Sequence, residues 1–228
     1  MKCGGRNRPS LGNDTLTSSW RPASQARLLE PVCAIVLGTM YGMSLCGFLW
    51  TAFWIIWLLW AFATKRTQSR ESFRTRVPYL IFTVAAFFAM FSRDVAFGWM
   101  RQHILPREPR IANLGIAITA AGLLFAIWAR AYIGRNWSGN VTVKVGHELI
   151  RSGPYRWVRH PIYSGIILAL IGTAINRGQL RGAFAVVLLW IGFTMKSRLE
   201  ERVMIATFGA EYEEYQRTTG GIFPRIGL

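Results

Sequence analysis

Val32 to Thr64 is a run of thirty-three residues without a single Asp, Glu, Lys or Arg. One membrane helix needs only ~20 apolar residues. In a bilayer every backbone N–H and C=O must find its partner inside the protein, so such a run points to membrane-spanning helices. The rest of the composition agrees. Only 17% of residues are charged and 52% are hydrophobic, whereas soluble domains carry roughly 25% charged residues. The expected fold class is all-α, a polytopic membrane helix bundle with about five transmembrane helices.

The chain divides into a polar tail over 1–31, read as disordered, three transmembrane helices over 32–133, and a region over 134–228 with two more. No apolar stretch precedes Pro31, so the tail is not read as a cleavable secretory signal. The first span is read as one long tilted helix, with an initial segment broken near Gly42–Gly47. The second is expected to start at Pro78, a good first helical position, and to run to about Met100. Arg93 and Asp94 fall near its far end, where snorkelling to the interface competes with a functional role. The third runs from Ile111 to about Ile133.

Pro161 opens the fourth helix, which ends at Asn176 before an Asn176-Arg177-Gly178 turn. Sixteen residues rise only about 24 Å, short of a ~30 Å hydrocarbon core. Ala183 to Met195 supplies the next apolar stretch, so the last two helices form a tight hairpin. The fifth helix continues as an amphipathic cytoplasmic extension that ends near Gly209. Ser164, Gly165, Ala169 and Gly172 put small residues along the fourth helix for close packing.

A net charge of +16 could suggest nucleic acid, but Lys and Arg also collect in cytoplasmic loops of membrane proteins and touch anionic headgroups. No nucleic-acid partner is expected, and no obligate protein partner is evident. The segments 65–77, 130–160 and 196–228 share one side of a five-span bundle and hold most of the Lys and Arg, which puts that side in the cytoplasm. Cys3, Cys33 and Cys46 form no C-x-x-C, and three His without H-E-x-x-H supply no metal set. There is no G-x-S-x-G elbow, and no G-x-G-x-x-G stands between a strand and a helix, so no Rossmann cofactor domain is expected.

Two polar clusters remain. The first is H-E-L-I-R-S-G-P-Y-R-W-V-R-H-P-I-Y-S-G, from His147 to Gly165, and the second begins K-S-R-L-E-E at Lys196. The hairpin between them brings both to one side of the membrane. Taken singly, Lys196 and Glu200 could be a surface i,i+4 ion pair, and the Tyr and Trp residues an aromatic belt.

Together, the first motif and R-L-E-E-R-V-M-I-A-T-F-G-A-E-Y-E-E-Y resemble the isoprenylcysteine carboxyl methyltransferase family over roughly Gly134 to Pro224. The resemblance implies integral membrane enzymes that use S-adenosylmethionine. It implies cofactor contacts from Asn140, His147, Glu148, Leu149, Ile150, Tyr155, His160, Pro161, Ile162 and Tyr163, with Glu200 on the cofactor's amino group. Lys196 stands where the family places a basic residue toward the substrate, usually Arg, and Arg198 is close by.

Physical chemistry points the same way. A carboxylate such as Glu200 suits an ammonium. Free N–H groups at the start of the fourth helix, beside Arg159 and His160, suit a carboxylate. Tyr155, Trp157 and Tyr163 can cover an adenine. The expected reaction is methyl transfer to a lipophilic acceptor, foremost a prenylcysteine-like carboxylate. Lys196 or Arg198 would then orient the acceptor; an amine or phenol would need a base, for which Glu201 and His160 are the candidates. Three alternatives stay open: a phospholipid-type N-methyltransferase, an NADPH-dependent sterol-type reductase, and a non-catalytic lipid-binding module.

Overall fold

The computed structural model describes residues 45–61, 73–92, 98–134 and 149–225. All of these belong to one unit, Met43–Leu228. They form helices α1 (Leu45–Ala61), α2 (Phe73–Phe91), α3 (Pro109–Ile133), α4 (Pro161–Arg177), α5 (Leu180–Phe208) and α6 (Ala210–Thr218), with 3-10 turns at Gly98–Arg101 and Gly153–Arg156. Two isolated β-bridges, His103 with Gln179 and Val158 with Gly220, are the only β pairings among the described residues. Helices α2, α3 and α5 are long and apolar enough to cross a membrane, and α1 and α4 are shorter apolar helices. This is an integral membrane helix bundle.

Local chemistry sets the ends of the last helices. Pro161 occupies the first turn of α4, where its missing N–H costs nothing. Gly178 closes α4 in the left-handed conformation, φ 63°, and its N–H bonds Ala174 O at 2.9 Å. Gln179 follows, and α5 begins at once. Helix α5 ends at Gly209, φ 55°, whose N–H bonds Ile205 O at 2.8 Å.

Two expectations about the second helix are corrected. It already includes Phe73, so Pro78 lies inside it rather than at its start. As the sixth residue of the helix, Pro78 lacks the N–H that would have bonded the carbonyl of Arg74. The helix also stops at Phe91, and Met100 belongs to a separate 3-10 turn. Gly42 and its neighbours, Arg93 and Asp94 lie outside the described residues.

The closest packing is between α3 and α4. A Cβ added to Gly115 would stand 2.6 Å from Gly172 O, one on Gly122 2.6 Å from Gly165 O, and one on Gly165 2.7 Å from Ala126 N. Gly115, Thr119, Gly122, Ala126 and Ala129 recur at alternating spacings of four and three. So do Gly165, Ala169, Gly172 and Asn176 on α4, which gives two small-residue stripes that let backbones touch. Ser164 is not part of this seam; its hydroxyl donates to Ile222 O and His160 O instead.

Helix α1 seals the seam. Trp50 Nε1 donates to Thr173 Oγ1 at 2.9 Å, Thr173 pairs with Thr119 at 3.2 Å, and Cys46 Sγ lies 3.8 Å from Thr119 Oγ1. Polar side chains at this depth need such partners because no water is available. Around them Phe53, Met90, Leu123, Ile166, Leu170, Leu189 and Phe193 make the apolar core. The α2 helix closes on α5 across Gly192, whose missing Cβ would meet Tyr79 O and Phe82 at 3.1 Å.

Candidate functional site

The polar clusters meet where the start of α4 crosses the middle of α5. His160 precedes the first turn of α4 and Tyr163 lies within it. On α5, Phe193, Lys196 and Glu200 recur at spacings of three and four and so share one face, while Glu201 begins the next. Tyr163 donates its hydroxyl to Glu200 Oε1 at 2.6 Å, and its ring stacks between His160 (5.5 Å, 6°) and Phe193 (4.6 Å, 29°). Lys196 Nζ lies 3.9 Å from Glu200 Oε1, with the rings of Tyr163 at 5.5 Å and of Tyr79 at 5.6 Å beneath it. An ammonium over two aromatic faces is held by cation–π attraction as well as by the carboxylate.

His160 bridges the two glutamates. Its Nε2 is 3.0 Å from Glu201 Oε1 and its Nδ1 is 3.5 Å from Glu200 Oε2. Burial pushes the imidazole pKa down, but the hydrogen bonds and charges of Glu200 and Glu201 outweigh it, and the net shift is upward. The pair of carboxylates therefore favours an imidazolium.

Glu201 is almost fully engaged. Arg159 donates through Nε to its Oε1 at 2.9 Å, His160 meets the same oxygen, and Gln216 donates to Oε2 at 3.0 Å. Arg159 also bonds the carbonyls of Gln216 (3.2 Å) and Thr219. The backbone N–H groups of Arg159 and His160 donate to Gly220 O (2.8 Å) and Gly221 O (3.2 Å). The C-terminal segment is thereby strapped across the start of α4.

This geometry changes several sequence-based expectations. The N–H groups of Arg159 and His160 are taken by the strap and are not open to a ligand. Those of Ile162 and Tyr163 lie in the first turn, which no side chain caps. Glu201 is a clamp, since its oxygens already serve three donors. Arg198 is exposed on the other side of α5 from Lys196 and Glu200. Ile162 is buried in the apolar core, and Pro161 is fully buried beneath it.

Tyr155 is a buried post: its hydroxyl donates to Ala129 O at 3.4 Å and its carbonyl receives the Tyr215 hydroxyl at 2.5 Å. Burial first, and then Glu200, push its pKa up. Trp157 is 47% exposed and sits against Trp128 at 5.8 Å, away from Tyr163. Leu149 and Ile150 are half-buried just ahead of the 3-10 turn. Asn140, His147 and Glu148 lie outside the described residues.

Other contributors were not singled out from sequence. Tyr79 and Phe193 looked like ordinary apolar-span residues, and Gln216 like part of a polar tail. A polar tip on Tyr79 three residues from Arg76 was the only signal available. Among the described residues no group of His, Cys, Asp and Glu could hold a metal. What the arrangement can do is bind a charged, zwitterionic molecule: it offers a carboxylate, an ammonium and aromatic faces within one small volume.

Residues 114–206 match the isoprenylcysteine carboxyl methyltransferase family. The protein-S-isoprenylcysteine O-methyltransferase of Saccharomyces cerevisiae is 33% identical over 116 residues, which is 50% of this chain and 48% of that protein. The cobalt-zinc-cadmium resistance protein CzcN of Cupriavidus metallidurans is 27% identical over 166 residues, 71% of this chain and 70% of that protein. A solved structure of a eukaryotic intramembrane Ras methyltransferase superposes with a TM-score of 0.51 at 26% identity, over 65% of this chain and 52% of that one. The chain thus spans about half the length of the yeast relative and of that structure. The matched stretch contains α4, most of α5 and both polar clusters. The likeness to the isoprenylcysteine carboxyl methyltransferase family is thus carried by residues 114–206.

Proposed function

We propose that this protein transfers a methyl group from S-adenosylmethionine to the carboxylate of a lipophilic, prenylcysteine-like acceptor at the cytoplasmic face of a membrane. The observation that carries the reading is the Tyr163–Glu200–Lys196 group, built where α4 and α5 meet inside the family-matched stretch. The yeast relative is named for the same chemistry on isoprenylcysteine. The excess of Lys and Arg on the loops flanking α4 and α5 supports the cytoplasmic side. The same reading takes all five apolar helices as membrane-embedded.

The donor set fits the cofactor. Glu200 has room for an ammonium: a carboxylate offers about four acceptor sites, and its partners are the Tyr163 hydroxyl at 2.6 Å, His160 Nδ1 at 3.5 Å and Lys196 Nζ at 3.9 Å. The uncapped N–H groups of Ile162 and Tyr163 suit the cofactor's carboxylate. Leu149 and Ile150, with Asn140, His147 and Glu148, would supply the rest of its pocket. When bound, S-adenosylmethionine supplies a methyl group on a positively charged sulfur.

Lys196 would orient the acceptor carboxylate from its seat on Tyr79 and Tyr163. A carboxylate arrives ionised at neutral pH, so no proton has to be removed. That requirement agrees with Glu201 being occupied by Arg159, His160 and Gln216 and not open as a base. Alignment of the two reactants is then the protein's main contribution. The apolar faces of the bundle would let the acceptor enter sideways from lipid.

The test is binding and turnover by the purified protein in lipid nanodiscs. S-adenosylhomocysteine should bind in calorimetry, NADPH should not, and a prenylcysteine analogue should be methylated. Absence of S-adenosylhomocysteine binding, or binding of NADPH instead, would sink the proposal.

A further inference from the structure

A second site lies on the face of α4 turned away from Tyr163. There a groove of about 440 Å³ opens between α3, the loop before α4 and the C-terminal segment, with Ser164 at its α4 wall. Phe125, Trp157, Val158 and Pro224 give it apolar walls, and Arg156 and Arg225 both line it from exposed positions. No carboxylate lines it among the described residues. The acids of the adjoining α6 that pair in the structure do so elsewhere, Glu214 with Arg217 and Glu211 with Arg151.

Both arginines are already held in place. The Arg156 guanidinium rests over the Trp157 ring at 5.3 Å, and Arg225 donates to the backbone carbonyl of Arg217. Toward the middle of the bundle the surroundings change character. One turn on from Ser164, Leu168 is 41% exposed, and beside Phe125, Leu124 is 66% exposed. Beside the groove Trp128 packs on Trp157 at 5.8 Å, and amphipathic rings of this kind settle at the level of the headgroups. Two cations at that level above an apolar trough are complementary to an amphiphile with an anionic head.

We propose that this groove binds one anionic phospholipid, with its phosphodiester between Arg156 and Arg225 and an acyl chain along Phe125 and Leu168. A phosphate accepts bidentate bonds from guanidinium, which explains why arginine rather than lysine stands at both positions. The site shares no lining residue with the Tyr163–Glu200–Lys196 group and does not depend on its chemistry. Its apolar trough distinguishes a lipid from a free anion.

The experiment uses the full chain in detergent micelles with equal amounts of phosphatidylglycerol and phosphatidylcholine, and counts retained lipids by native mass spectrometry. One phosphatidylglycerol should be retained in preference. The double variant Arg156→Gln/Arg225→Gln should lower that retention by about tenfold or more, and Arg156→Lys/Arg225→Lys should keep a large part of it. Arg202→Gln, an exposed cation elsewhere on α5, should change nothing. Equal retention by the double variant, an equal loss in Arg202→Gln, or displacement of the lipid by millimolar inorganic phosphate would each overturn the proposal.

Discussion

Toward α3, helix α4 presents Gly165, Ala169 and Gly172, and the two backbones come so close that a single added Cβ would strike main-chain atoms. Toward α5 the same helix presents His160 and Tyr163, and the space between is filled by side chains with charges and rings. The first face excludes everything; the second holds polar atoms at fixed distances with lone pairs to spare. Rigid placement of the second depends on the first, because a helix anchored by backbone contact cannot shift to relax a misplaced tyrosine.

The largest effect is expected from breaking the close face. Gly122→Leu should lower the thermal unfolding midpoint in detergent sharply, corresponding to about 3 kcal/mol or more, since the added side chain meets the main chain of α4. An unchanged midpoint would show that the seam tolerates separation. Next comes the contrast between the two glutamates. Glu200→Gln should weaken S-adenosylhomocysteine binding by about tenfold to a hundredfold with little change in midpoint. Glu201→Gln removes the acceptor shared by Arg159, His160 and Gln216, so it should cost about 2 kcal/mol of stability and affect binding less. If the two variants behave alike, the division into ligand group and clamp fails.

Smaller again is the contrast between the neighbouring cations. Lys196→Gln should raise the acceptor KM by about tenfold while leaving the S-adenosylhomocysteine Kd near its original value. Arg198→Gln, at an exposed position, should stay within about twofold on both. Equal effects would place Arg198 in the site after all.

The smallest expected effect is on pH dependence. The folded-state pKa of His160 is raised above 6.5. Its stabilising contribution is therefore fully present below about pH 6.5 and is lost as pH rises through the folded-state value. Unfolding midpoints measured across that range should fall with rising pH, and the fall should be shallower in His160→Gln. A steeper fall in the variant would contradict the bridging role.

Helix ends near the site were legible because single residues decide them. Pro161 suits the start of a helix, and Gly178 and Gly209 take positive φ that other residues resist, so both ends of α4 and the end of α5 were legible almost to the residue, whereas α5 begins at Leu180, three residues before the expected apolar stretch at Ala183. Pro78 misled because proline can also sit inside a helix at the cost of one backbone bond, so it marks a neighbourhood and not a boundary. That the clusters holding Tyr163 and Glu200 come to one side could be read in advance, because the turn at Gly178 joins their helices; that the Tyr163 hydroxyl bonds Glu200 could not. The engagement of Arg159 and Glu201 could not be read in advance: Arg159 also bonds the main-chain carbonyls of Gln216 and Thr219, about sixty residues away in the chain, carbonyls leave no trace in a residue pattern, and Glu201 is taken up by Arg159, His160 and the Gln216 side chain.

By itself the sequence determined the solvent and the element type: an uncharged run of such length can satisfy its backbone only as helix in lipid. It also determined which chemical groups the chain could bring to a ligand. The tertiary structure alone decided which way those groups face. A helix that is apolar all round carries no amphipathic stripe to show its orientation, so Tyr79 and Phe193 joined the site, Ile162 went to the core, and Trp157 turned outward only once backbone-to-backbone packing of α3 and α4 fixed the rotation of each helix.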